Sequence, residues 1–312
     1  KMTKTHINDP SLILYELNEV PKELIIRYAE IKPKSTFGKL LKNGKLIKTI
    51  NKDKGELHPW TTWPTLHRGI NNNKHKIQFI NQNLKDSKIY PPIWEILQRN
   101  GIKVGIFGSL QSYPPLISEN TCFYLPDTFA PKADAYPHYL EVFQKFNLNV
   151  CSENKAISNL ISKKLYFQFI NLLLSGICSI PTALKIMSHV SKEKINPQYR
   201  LRRPLLQPIL GFDLFIKSLN KYNPSFSTFF TNHVAGIIHR YWRDLFPEDF
   251  SSNNFYKVDP FKRDSIIKAM DIADTHLKRL IKYCDKNKTD LWIASSMGQK
   301  ARNDIHNRND IQ

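Results

Sequence analysis

The first clear pattern is an apolar run from Ser11 to Leu17 that breaks at Asn18-Glu19-Val20-Pro21, which predicts a buried strand ending in a polar loop. Lys22 to Ala29 then takes helical spacing. Ile93 to Asn100 reads as a helix stopped by Gly101, and Lys103 to Gly108 as a second apolar strand. Helix, glycine, strand is the repeating unit of a parallel sheet. Ser225 to Thr231 returns to strand, and Asp264 opens a long helix with Ile267, Met270, Ala273, Leu277 and Leu280 on one face. Leu291 to Ala294 reads as a short buried strand. Residues 150–223 are mainly helical, with an amphipathic stretch from Phe212 to Leu219. The prediction is an α/β fold: a central, mostly parallel sheet flanked by helices. Its core is formed by 1–149 and 224–312, with 150–223 as a helical insertion. In such open sheets, ligands sit at the C-terminal ends of the strands.

One stretch, Leu165 to Leu184, carries no charge and is long enough to span a bilayer. Its Gln168, Asn171, Ser175, Gly176, Ser179, Pro181 and Thr182 would be costly in hydrocarbon, so it reads as a helix packed on the domain or lying on a membrane surface. Composition, at 41% hydrophobic and 23% charged, excludes a disordered chain. A net charge of +19 calls for an anionic partner: nucleic acid, an acidic membrane, or a phosphorylated or sulfated substrate. The same lysines, spread evenly and accompanied by many Ile and Asn, are also what an AT-rich coding sequence produces. No nucleic-acid fold signature is present. Cys122, Cys151, Cys178 and Cys284 are far apart, without a CxxC pair. Together with a polar start up to Pro10, they make the cytoplasm the expected compartment, with peripheral membrane contact through 165–184 as an option.

Four segments carry chemistry. The first is the opening strand with its loop. The second holds Gly69, His75 and Ile77 after a candidate helix at Trp60. The third runs from Pro92-Ile93-Trp94-Glu95-Ile96-Leu97 to Gly105-Ile106-Phe107-Gly108 and Tyr113-Pro114-Pro115. The fourth pairs Thr231-Asn232-His233 with Ala294-Ser295-Ser296-Met297-Gly298-Gln299. In order and interval these resemble the alkaline phosphatase superfamily, in particular its phosphodiesterase and nucleotide pyrophosphatase branch.

The resemblance implies a site of two divalent metals, zinc or manganese, held by Asp and His around a Thr or Ser nucleophile. This chain departs from that pattern where charge matters. Asn18 and Asn232 stand at Asp positions, Gly236 at a His position, and Ser296-Met297 at an Asp-His pair. Neutral amides cannot offset two dications, and a thioether is a poor ligand for hard cations. Thr62, in the order Thr62-Trp63-Pro64, is the nucleophile candidate and equally a helix N-cap. A gap-free count back from Gly69 puts Pro59 there instead. The expectation is a remodelled, metal-poor cleft that binds a phosphorylated or sulfated ligand of nucleotide-sugar or glycan type. Asn18, Asn232, His233, His239, Arg240, Arg203 and Ser296 are its candidate binding residues, with Arg202 beside Arg203 and Arg243 one turn beyond Arg240. The alternative is a metal-dependent phosphodiesterase or phosphotransferase with Glu16, His233 and His239 as ligands. His306 is a further candidate ligand.

Overall fold

The computed structural model describes residues 11–80, 82–152, 178–250 and 256–301. Strand β1 (Ser11–Leu17) leads into α1 (Lys22–Ile31) and α2 (Thr36–Asn43). After a long loop come α3 (Pro59–Arg68), the single turn α4 (Asn72–His75) and α5 (Ile93–Arg99). Strands β2 (Val104–Phe107) and β3 (Thr121–Leu125) follow, then α6 (Leu140–Ser152), α7 (Ile180–Ile195) and α8 (Leu206–Tyr222). The described chain closes with β4 (Phe226–Thr231), α9 (His233–Leu245), α10 (Pro260–Asn287) and β5 (Thr289–Ala294). The five strands form one sheet in the order β3-β2-β4-β1-β5. Every pairing is parallel.

Alternation along β1 assigns the two faces. Tyr15 points to the side of α8 and α10, where its ring stacks on Phe229 and its hydroxyl meets His276 Nδ1 at 3.0 Å. Phe107, Phe212, Phe215 and Phe229 pack as an aromatic cluster on that side. Glu16 points the other way, toward α3 and α5, where Trp94 packs with Val104, Ile106, Tyr124 and Phe226. Helix α8, within the expected insertion, therefore covers the sheet directly.

Three expectations change. Helix α10 begins at Pro260, earlier than Asp264, because the Asp259 side chain caps it by accepting from the backbone N–H of Phe261 at 2.9 Å and of Lys262 at 3.4 Å. Strand β5 is not buried: among the described residues it is an edge strand bordered only by β1, with Trp292 63% and Ile293 38% exposed. Strand β3 had no counterpart in the sequence reading. Most of the Leu165 to Leu184 stretch lies outside the described residues, as does His306. No helix among the described residues is long and apolar enough to cross a membrane.

Candidate functional site

The polar residues that end β1, β4 and β5 meet at one edge of the sheet. Because β1 and β4 pair with Leu17 opposite Thr231, the next residues, Asn18 and Asn232, emerge side by side. Asn18 Nδ2 donates to Asn232 Oδ1 at 2.7 Å. Trp63 of α3, fully buried, donates its indole N–H to Asn18 Oδ1 at 2.7 Å. One residue earlier, the buried Thr62 hydroxyl donates to Ser296 Oγ, beyond β5, at 2.8 Å. Asn18, Thr62, Asn232 and Ser296 thus lie together at the C-terminal ends of the strands.

A second cluster adjoins the first. Glu19 adopts φ 52°, the left-handed region that costs a non-glycine residue about 1–2 kcal/mol. This backbone turn aims its carboxylate at α9, where His239 Nε2 lies 2.7 Å away, and Gln299 Nε2 donates to the same carboxylate. Burial pulls the Glu19 pKa upward, but hydrogen bonds from His239, Gln299 and Asn18 and the His239 charge outweigh it, so the net shift is downward. His239 itself is largely exposed and sits one helical turn beyond Gly236. Arg240 follows it on the exposed surface of α9. Glu19, Trp63 and Gln299 carried no binding role in the sequence reading. Glu19 and Gln299 lie within the first and fourth segments, whereas nothing in the sequence tied Trp63 to Asn18.

Other candidates fall elsewhere. His233 is buried between Thr231 Oγ1, at 2.6 Å, and the Ala269 carbonyl, at 3.0 Å, on the α10 side of the sheet. Desolvation lowers its pKa to about 4, so it is a neutral core histidine. Glu16 lies on the opposite face, 2.7 Å from His67 of α3, with both side chains buried. Glu16, His233 and His239 cannot share an ion from these positions. Arg203 pairs with Glu193 of α7, and Arg202 bonds Asp264 and Ser265 of α10, so neither reaches the cleft. Arg243 packs over Tyr256, 4.1 Å from its ring centroid. Thr62 is not an N-cap: His58 holds that position, Pro59 is the first residue of α3, and Pro64 lies inside the helix. His75 joins an interior chain. Its Nδ1 accepts from the Ile77 N–H, so Nε2 donates to Thr65 Oγ1 at 2.9 Å, and Thr65 donates to Asp53.

The donor set does not fit a two-metal centre. Asn18 Oδ1 is taken by the indole, Asn232 Oδ1 by Asn18, and Glu16 by His67. Among the described residues no group of three or more His, Cys, Asp or Glu is arranged to hold a metal ion. No family model, curated protein or solved structure matches this chain.

Proposed function

We propose that the cleft binds a phosphorylated or sulfated ligand, of nucleotide-sugar or glycan type, as a remodelled relative of the alkaline phosphatase superfamily that uses neutral and cationic donors in place of metals. The observation that carries this reading is the Asn18–Asn232 hydrogen bond at 2.7 Å. Two amides stand side by side at the strand ends where paired carboxylates would be needed to hold dications. The N–H groups of exposed Asn232, the Ser296 hydroxyl and the exposed Arg240 offer donors to anionic oxygens, and a net charge of +19 favours approach of an anion.

Titration calorimetry with a nucleoside diphosphate sugar and with a sulfated disaccharide tests this. The expected outcome is metal-independent binding of one of them, weakened about tenfold in Arg240→Ala, the scale of one charge-assisted hydrogen bond. Arg203→Ala should leave affinity unchanged, since Arg203 is engaged with Glu193. Binding that appears only with added zinc or manganese, or that is indifferent to Arg240→Ala, overturns the proposal.

A catalytic version has one observation behind it, the Glu19–His239 pair at 2.7 Å, in which a carboxylate orients an exposed imidazole suited to proton transfer. Thr62, however, donates to Ser296 and touches no base. Turnover of a nitrophenyl phosphodiester that is abolished by Thr62→Ala would establish the catalytic version over the binding one.

A further inference from the structure

Helix α7 presents one face to the domain and an apolar stripe to solvent. Thr182, Ile186 and Glu193 are buried against the domain. On the opposite side Ile180 is 77%, Leu184 60%, Met187 57% and Ile195 85% exposed. At 100° per residue these four side chains fall within an arc of about 80°, centred away from the buried trio, so they form one stripe along the helix. Exposed Lys185 and Lys192 border the stripe on one side and Lys194 on the other. The only acidic residue of the helix, Glu193, is buried and paired with Arg203, so the charges on the outward face are all cationic, and exposed Ser191 is the one polar residue within the stripe.

A solvated helix of a globular domain shows polar residues on this face. A protein-docking face is enriched in aromatic residues, Met and Arg and depleted in Lys. The α7 stripe has aliphatic side chains and Met, with lysines at both borders and no aromatic residue. Lysines so placed can lay their stems along apolar surface while their ammonium groups reach phosphates. We infer that α7 lies flat on an anionic membrane surface, with Ile180, Leu184, Met187 and Ile195 in the boundary between headgroups and acyl chains and Lys185, Lys192 and Lys194 among lipid phosphates. Its 16 residues are about 24 Å long, which suits a helix lying in the interface. The inference is independent of what the cleft binds.

Co-sedimentation of the full chain with vesicles tests it, using phosphatidylcholine alone and phosphatidylcholine mixed with phosphatidylserine. Binding is expected to the mixed vesicles and not to phosphatidylcholine alone, and to fall as salt is raised. The double variant Leu184→Glu with Met187→Glu should lower the partition coefficient about a hundredfold, and Lys185→Glu with Lys192→Glu about tenfold or more. Trp292→Glu, at the exposed β5 edge, should bind as the parent does. All substituted side chains are exposed, so thermal unfolding should stay at the parent temperature. Absence of binding to the mixed vesicles, equal binding to both compositions, or indifference to both double variants overturns the inference. So does a dimeric parent, by light scattering, that the apolar-to-Glu variant converts to a monomer, because the stripe would then belong to a second copy.

Discussion

At the scale of single residues, Asn18 shows what an amide does that a carboxylate cannot. It accepts from Trp63 and donates to Asn232 at the same time, with both distances at 2.7 Å. Aspartate could only accept, and would set two oxygens against each other at Asn232. Restoring charge therefore has to be concerted. Asn18→Asp, Asn232→Asp and Ser296→Asp together with Met297→His should raise zinc affinity measurably by calorimetry, and each single change should do little. If Asn18→Asp alone creates a zinc site, the amide network is not what keeps metal out. His67 carries a second prediction. It bonds Oε1 of fully buried Glu16, whose Oε2 has no hydrogen-bond partner among the described residues. His67→Ala should cost about 3–5 kcal/mol in urea unfolding, because it leaves a buried carboxylate without its partner. A loss below about 1 kcal/mol would show that water reaches Glu16. The convergence of Asn18, Asn232 and Ser296 was legible because each follows a strand at a recognisable interval, whereas the gap-free count from Gly69 pointed to Pro59 in place of Thr62. The directions of Glu16, His233 and Arg203 were not, since facing is decided by pleat and by partners on other elements, His67, Ala269 and Glu193.

At the scale of elements, long periodic segments were the readable ones. Strand β1 runs over the residues its apolar pattern marks, and Ile267, Met270, Ala273, Leu277 and Leu280 are all buried on α10. Strand β3 has only five residues, Thr121–Leu125, with no alternation strong enough to mark it, and β5 looked buried because its apolar content hides the lack of a second neighbour. Packing between elements also explains a small residue that periodicity cannot. A Cβ on Gly105 of β2 would stand 2.3 Å from Phe123 Cζ of β3, so the ring lies across the glycine. Gly105→Ala should destabilise by about 1–3 kcal/mol, measured as a lower urea midpoint at unchanged slope. The double change Gly105→Ala with Phe123→Leu should recover part of that loss. If the single change is neutral, the sheet tolerates a displaced Phe123.

At the scale of the whole molecule, buried titratable groups set an acid limit. His75 and His233 have pKa values lowered to about 4, and His276 is held well below 6.5, in each case chiefly by desolvation. A base whose folded pKa is depressed stays neutral while the unfolded chain takes up a proton, so its stabilising effect is present above about pH 6.5 and is lost as pH falls toward about 4. Buried Asp127 acts in the opposite sense. Desolvation raises its pKa to about 6 against 3.8, so its contribution favours the fold at low pH and is lost as pH rises through about 6. Three histidines outweigh one carboxyl, and stability should fall between pH 6.5 and 4. A midpoint of unfolding that rises over that window would contradict this balance. The sheet order has a different consequence. Strand β1 pairs only with β4 and β5, and Ser11 aligns with Thr289. As the chain leaves the ribosome, its first strand waits on the order of tens of seconds for those partners to be synthesised. Through that interval SLILYEL is an unpaired, β-prone segment, so a chaperone that shields it during translation would decide how much of the newly made chain reaches a state in which the cleft exists at all.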